Sequence, residues 1–426
     1  MFLALNDLNR VAQADPNCYK GATTKMLEFK EALNRVLERV SPLDHETVGL
    51  ADLNCRVLAE PLYSNLDLPV SDNSSMDGYA LRAEDIQKAS QDSPITLRLV
   101  GIVPAGKLSD VEVERGTCVR LFTGSFLPKG ADAVIMQEDT ESVDDSRSIR
   151  CLDSVKPWEN IRFQGEDVKK GALLLEAGAR VRARHLGVMA AVGASEMKVS
   201  RRPRVGILST GHELQEAGTV LAPGSIYESN RLILSEMVRQ IGGAPQAYPL
   251  VDDTMEATKA ALQLAASEND ALITSGGVSV GDFDLIRPAI EALGGKIDFW
   301  KVRLRPGKPF VFAELNGKPV FGLPGNPVSA VTTYMVLTRP ALLQMQGAAD
   351  VKATMRPCRL SESIANRSDR PHFFRVQMDE RDGASSAGLQ GSHALQSLSK
   401  ADGWLCVDPG QSLVEGDAVS VMVWDD

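Results

Sequence analysis

Apolar positions along the chain follow several rhythms, and each predicts a different element. Phe29, Leu33, Val36, Leu37 and Val40 recur at helical spacing with Lys, Glu and Arg between them. That pattern predicts an amphipathic helix, ended before Ser41-Pro42. A second short helical pattern spans about 52–58 and stops at Pro61. From about 66 to 152 the texture becomes short β-like runs, at 95–103, 117–123 and 131–137, with turn residues between them. The polar stretch 139–148 reads as a loop, and the whole segment as a mostly-β module. Residues 1–24 carry no clear period and read as a loosely held extension.

Between about 204 and 347 the pattern is strand, glycine turn, helix, repeated. The runs 205–209 and 271–275 are continuous apolar strands, and helices are expected at 232–241, 253–266 and 285–293. Asp253 with Glu256 three residues on gives the second of these a capping pattern. Such alternation implies a doubly wound parallel sheet with helices on both faces. Asn316-Gly317 predicts a tight hairpin on the edge of that sheet. After about 350 only short runs remain, at 373–378, 404–407 and 418–423, as in a small β-barrel or sandwich.

Composition narrows the class. A chain of 426 residues implies about three domains, and 43% apolar with 24% charged residues is a globular balance. No uncharged apolar run approaches the ~18 residues of a membrane helix. Asn6 and Asp7 come too early for a secretory signal. Six scattered cysteines without a CxxC pair argue against a zinc site or a disulfide framework. A soluble protein of the reducing cytoplasm is expected. The net charge of −10 argues against non-specific nucleic-acid binding. An anionic ligand would need its counter-charges concentrated locally.

Ligands of doubly wound sheets sit outside the carboxyl ends of the strands. Three such ends carry special loops here: 209–213, 275–284 and 323–329. The second contains Gly276, Gly277 and Ser279; the third contains Pro324, Gly325, Asn326 and Pro327. Asn326 suits an N-cap and Pro327 the first helical position, so backbone N–H groups would point toward an anion. Glycine is also simply a turn former, but three loops at consecutive strand ends outweigh one. Lys301, Arg303 and Arg305 alternate with Trp300, Val302 and Leu304, so the cations share one face of a strand, and Lys308 follows the Pro306-Gly307 turn. That ribbon reads either as a solvated edge or as a site for phosphate or a metal oxyanion. Glu213, Asp253 and Asp284 lie beside the loops; the two aspartates serve equally well as helix caps. An acidic set beside a basic set suits a metal-assisted phosphoryl or nucleotidyl step, with Mg²⁺ as the hard cation. No Ser/His/Asp or Cys/His nucleophile arrangement is readable.

The run 72–80, Asp-Asn-Ser-Ser-Met-Asp-Gly-Tyr-Ala, adds a family. With Thr123-Gly124, Glu159-Asn-Ile-Arg162, Gly165-Glu-Asp167, the three loops, 306–309 and Gly391-Ser-His-Ala-Leu395, it resembles the molybdopterin molybdenumtransferase family, MoeA and the gephyrin E domain. The resemblance runs from about residue 25 to the end. It implies a linker domain of two segments (25–65 and 153–200), an inserted β-rich domain (66–152), a molybdopterin-binding α/β domain (201–349) and a C-terminal β domain (350–426). It also implies a homodimer whose active site is shared between subunits. The implied reaction takes adenylylated molybdopterin and molybdate and releases AMP, with Mg²⁺ assisting.

Carried onto this sequence, the family pattern puts Asp77 and Thr123 at the site from the inserted domain. It assigns Glu213, Asp253 and Asp284 to metal and pyrophosphate. Lys301 and Arg305, with Lys308 alongside, take oxyanion charge. Gly276, Gly277, Ser279 and the 324–327 loop cradle the pterin phosphate and nucleotide. Arg162, Glu166 and Asp167 fit an interdomain salt-bridge network as well as ligand contact. Two positions depart from the family: Arg305 stands where many members have Lys, and His212 where Asp is frequent. The resemblance also admits a scaffold that binds a partner protein, as the gephyrin E domain does, and the adenylyltransferase of the same pathway, either as the activity itself or as a partner.

Overall fold

The computed structural model describes residues 26–278 and 284–424; the extension at 1–24 and Ser279 lie outside the described residues. The largest sheet has seven strands, in the order Leu27–Glu28, Lys296–Arg303, Pro309–Leu315, Lys318–Leu323, Ala271–Ser275, Arg204–Ser209, Ala244–Ala247. The last four named are mutually parallel, while Pro309–Leu315 runs antiparallel to both neighbours. Ile207 and Leu208 point into different cores because successive strand side chains alternate. On one face, Ile207, Phe299 and Phe312 pack with Val36, Leu234, Val238 and Leu342 from covering helices. On the other, Leu208, Leu272 and Val311 pack with Leu262, Ala266 and Ile290. Burial on both faces is why these strands read as continuous apolar runs.

The Asn316-Gly317 turn forms, with φ of 52° and 74°. Its hairpin lies inside the sheet and not on the edge as expected, because Lys318–Leu323 pairs onward with Ala271–Ser275. The cationic strand departs from simple alternation. Its pairing with Pro309–Leu315 shifts register twice between Ile297 and Lys301. Phe299, Val302 and Leu304 consequently share one core, while Trp300 packs on the opposite one. Trp300 is thereby removed from the row it was expected to share with Val302 and Leu304.

Elsewhere, 133–136, 78–81, 117–121, 95–103, 148–151 and 140–143 form a six-stranded sheet. The 139–148 stretch is the tip and sides of a hairpin, Thr140–Val143 with Ser148–Cys151, turned by Asp144, Asp145 and Ser146 at positive φ. Strand His45–Gly49 pairs with Glu196–Ser200. The expected helix at 52–58 is absent: one 3₁₀ turn, Leu50–Asp52, precedes Cys55 at φ 63°. Val57 and Leu58 then bridge Arg180 and Val199. Buried Leu53 and Leu58 join Val181 and Val199 in a local core. Long-range pairing overrides the local helical pattern there. Five C-terminal strands close a barrel. No helix among the described residues is long and apolar enough to cross a membrane.

Candidate functional site

A cleft of about 690 Å³ opens at the carboxyl ends of Arg204–Ser209, Ala271–Ser275 and Lys318–Leu323. The strand-end loops bring Glu213, Asp253, Asp284, Gly276, Gly277, Pro324, Gly325, Asn326 and Pro327 together around it. Gly276 and Gly277 are required by space and by positive φ. Gly276 has φ +89°, and a Cβ there would sit 2.7 Å from the Thr210 carbonyl oxygen. A Cβ on Gly325 would touch the Gly276 Cα at 3.6 Å, so the second and third loops meet directly. Pro327 opens the helix Pro327–Thr333 with Asn326 at the cap position, although the Asn326 side chain makes no capping bond.

One corner is acidic. The helix after Asp253 begins at Met255, and Thr254 caps it by accepting a hydrogen bond from the Ala257 N–H at 3.2 Å. Asp253 is therefore not the cap. Its Oδ2 instead accepts from the His212 backbone N–H at 2.9 Å and lies 3.0 Å from His212 Nδ1. That hydrogen bond to Asp253 raises the proton affinity of His212 above the usual histidine range. Potential ligand atoms of His212, Glu213 and Asp253 all lie within 4.8 Å of one another. Asp284 lines the same cleft outside that group, two residues before the helix Ile286–Ala292 and so not at its cap either.

Two residues that the sequence did not single out organise the loops. Asn230 Nδ2 donates to Ser275 Oγ at 2.8 Å and to the Gly325 carbonyl at 2.7 Å, tying two loops together. Glu228 accepts from Ser209 Oγ at 3.0 Å and from the Arg231 N–H at 2.7 Å. The one signal of them in the sequence was a polar run, 227–231, opening a helix between two strands. His393, in the quoted Gly391-Ser-His run but given no role, also lines the cleft.

None of the four cations of the ribbon is in the lining of this cleft, but Lys301 pairs with Pro309, which is. Lys308 is exposed and directly precedes Pro309, a lining residue. Lys301 Nζ lies 3.6 Å from the Trp300 ring centroid. Burial, then the nearby charges of Lys308 and Arg287, hold the Lys301 ammonium below the usual lysine range. Arg303 is drawn away, pairing with Glu28 at 3.1 Å and donating to the Asp369 carbonyl. Arg305 is exposed, and its backbone N–H donates to the Pro371 carbonyl at 2.9 Å. Burial, then the charges of Arg305, Arg375 and Arg370, pushes the pKa of His372 down to about 4.

Asp77 and Thr123 meet each other within the six-stranded module. Thr123 donates to Asp77 Oδ1 through its backbone N–H at 2.7 Å and its hydroxyl at 2.9 Å. Those bonds, with Arg120 nearby, hold the Asp77 carboxyl below its usual range. Neither residue lines the cleft of its own chain.

Residues 27–193 match the MoeA N-terminal region (domain I and II). Residues 206–344 match a probable molybdopterin binding domain, and residues 357–424 the MoeA C-terminal region (domain IV). The molybdopterin molybdenumtransferase of Haemophilus influenzae is 34% identical over 403 residues, covering 93% of this chain and 98% of the relative. The chain belongs to the MoeA family. Within that family, molybdopterin molybdenumtransferase 2 of Mycobacterium tuberculosis is 37% identical over 386 residues, 89% of this chain and 94% of the relative. Among solved structures, the molybdopterin biosynthesis moeA protein of Pyrococcus horikoshii OT3 is 30% identical with a TM-score of 0.78, covering 94% of this chain and 100% of that one. The MoeA family assignment brings the chain into molybdenum cofactor biosynthesis, as a transferase.

Proposed function

We propose that this MoeA-family chain transfers molybdenum from molybdate to adenylylated molybdopterin and releases AMP. The observation that carries the reading is the pairing of charges around one cleft: His212, Glu213 and Asp253 at one corner, Lys301 and Lys308 beside Pro309 at another border. The carboxylate oxygens of Glu213 and Asp253 suit a hard cation such as Mg²⁺, with Asp284 in the same cleft. When bound, Mg²⁺ would neutralise phosphate charge. The chain's own residues do the rest. Gly276 and Gly277 let backbone approach the phosphates, with Ser279 assigned to the same loop. Gly325 and Asn326, framed by Pro324 and Pro327, offer backbone N–H groups at a helix start. Lys301 and Lys308 draw in the oxyanion, and Arg305 adds a planar fork in place of a point charge.

Asp77 and Thr123 enter this scheme from a second copy, so the working unit is a homodimer. The domain division given above, at 66, 153, 201 and 350, is part of the same proposal. An adenylyltransferase of the pathway would supply the substrate. Among the described residues, Cys55, Cys118, Cys151, Cys358 and Cys406 are free thiols, which fits a reducing cytoplasm. Purified protein given adenylylated molybdopterin, Mg²⁺ and molybdate should release AMP. No release from wild type, with Asp77→Ala indistinguishable from it, rejects the reaction and leaves the scaffold reading.

A further inference from the structure

In the six-stranded module the Asp77–Thr123 pair is backed by an arginine. Strand Gly78–Leu81 runs antiparallel to Thr117–Leu121, with Gly78 opposite Leu121 and Tyr79 opposite Arg120. Asp77 leads into the first strand and Thr123 follows the second, so the two meet at one end of the ladder. Gly78 fixes that end by space. A Cβ there would stand 2.0 Å from the carbonyl oxygen of Ile135, on the strand that pairs with Gly78–Leu81 from the other side.

Arg120 shares a face with Tyr79 across the ladder and with Phe122 two residues on. Its guanidinium carbon lies 4.8 Å from the Tyr79 ring centroid and 5.3 Å from that of Phe122. Ring quadrupoles attract a cation in that position. Arg120 Nη1 donates to the Gly78 carbonyl at 3.4 Å, and Nη2 donates to Gln137 Oε1. Gln137 in turn donates its backbone N–H to the Asp77 carbonyl at 3.0 Å, while its Nε2 donates to Glu138 Oε1 at 3.5 Å. One guanidinium thus reaches the Gly78 carbonyl directly and the Asp77 carbonyl through Gln137. Among the described residues no carboxylate forms an ion pair with Arg120. Its charge adds to the two Thr123 hydrogen bonds in keeping the Asp77 carboxyl below the usual range. Both of those bonds end on Asp77 Oδ1.

We propose that Arg120 is the positioning residue of Asp77: by holding the Gly78 carbonyl and Gln137 it keeps Oδ1 on Thr123 and leaves Oδ2 to the ligand bound by the other copy. The inference deepens the reading above and rests on its use of Asp77 in the reaction. Arg120 acts through Asp77 and is not itself a ligand contact. A planar fork suits this task better than a point charge, because its separate N–H groups serve two acceptors at once while its face lies against the rings.

Amide hydrogen exchange at Thr123, whose N–H is bonded to Asp77 Oδ1, reads the placement directly in the full chain. Arg120→Gln should speed that exchange about tenfold and leave the Val119 amide, in the middle of the same strand, unchanged. In an Asp77→Ala background Arg120→Gln should add less than about twofold, because its effect runs through the carboxylate. For AMP release, Arg120→Gln should lower kcat about tenfold and keep KM for adenylylated molybdopterin within about twofold of wild type. Arg120→Lys, still a cation over the two rings, should recover kcat to within about threefold of wild type. Should Arg120→Gln fail to fold, Gln137→Ala removes one of the two acceptors and should speed Thr123 exchange in the same direction. Unchanged Thr123 exchange in Arg120→Gln, or in Gln137→Ala where that replaces it, would overturn the proposal. So would additive acceleration in the Asp77→Ala background, or a wild-type kcat in Arg120→Gln. The expected exchange pattern with no AMP release from wild type would instead sink the proposed reaction and leave Arg120 as the residue that sets Asp77.

Discussion

Asp253 stands one residue before the helix cap, and that single step changes its chemistry. Thr254 serves the helix, so Asp253 is left to hold the His212 ring and backbone. A histidine whose proton affinity is raised by a carboxylate stabilises the folded loops fully below its unfolded pKa, and the contribution fades as pH rises through the raised folded value. The His212 ring should therefore titrate above an ordinary histidine in an NMR pH series. Asp253→Asn should bring the midpoint back down; a wild-type midpoint at or below the ordinary value refutes the pairing. Gly276 gives a second expectation of this kind. Its φ of +89°, and the Thr210 carbonyl oxygen only 2.7 Å from where a Cβ would stand, leave no room for alanine. Gly276→Ala should cost about 1–3 kcal/mol in denaturant unfolding and weaken nucleotide binding at the same time.

The joints between elements show where the sequence was informative. The runs 205–209 and 271–275 were readable because both faces of these strands are buried, and a short uninterrupted apolar run bounded by turn residues is the mark of such a strand. The three strand-end loops were readable because glycine and proline mark them, and Glu213, Asp253 and Gly276 do converge. The double register shift in Lys296–Arg303 was not readable. No residue type there announces an extra residue in the ladder, so the fate of Trp300 depends on pairing with Pro309–Leu315. Segment 52–58 carries a helical period yet is captured by partners more than a hundred residues away.

One such joint makes a stability prediction. Asp270, buried at the start of Ala271–Ser275, accepts from Arg201 at 2.7 and 3.0 Å and from the Arg204 N–H at 2.8 Å. Burial pushes its carboxyl up, but the Arg201 and Arg204 hydrogen bonds win and leave it below the usual range. Its contribution is complete above the unfolded carboxylate pKa and is lost as pH falls through the depressed folded value. Asp270→Asn should cost about 3 kcal/mol in urea unfolding at neutral pH. The gap between variant and wild type should narrow as the solution is acidified toward that depressed value, and a gap constant with pH would reject the assignment.

At the scale of the molecule, Asp77 and Thr123 are bonded to each other and stand apart from the cleft lining. If the proposed site is shared between two copies, each half is useless alone. Mixing refolded Asp77→Ala and Lys301→Ala chains should restore about a quarter of wild-type AMP release, because half of random pairs are mixed and each mixed pair holds one intact site. Two inactive variants that stay inactive on mixing would place the whole reaction within one chain.

The two-residue strand Leu27–Glu28 also has a consequence beyond its size. It lies parallel to Val302 and Arg303 on the outer flank of the seven-stranded sheet. Trimming the chain back past Glu28 would bare the backbone groups of Val302 and Arg303 that this short strand pairs with. Exposed flanks of that kind template pairing with other molecules. A protein shortened to begin at Lys30 should cloud on concentration or warming, where the longer chain stays clear.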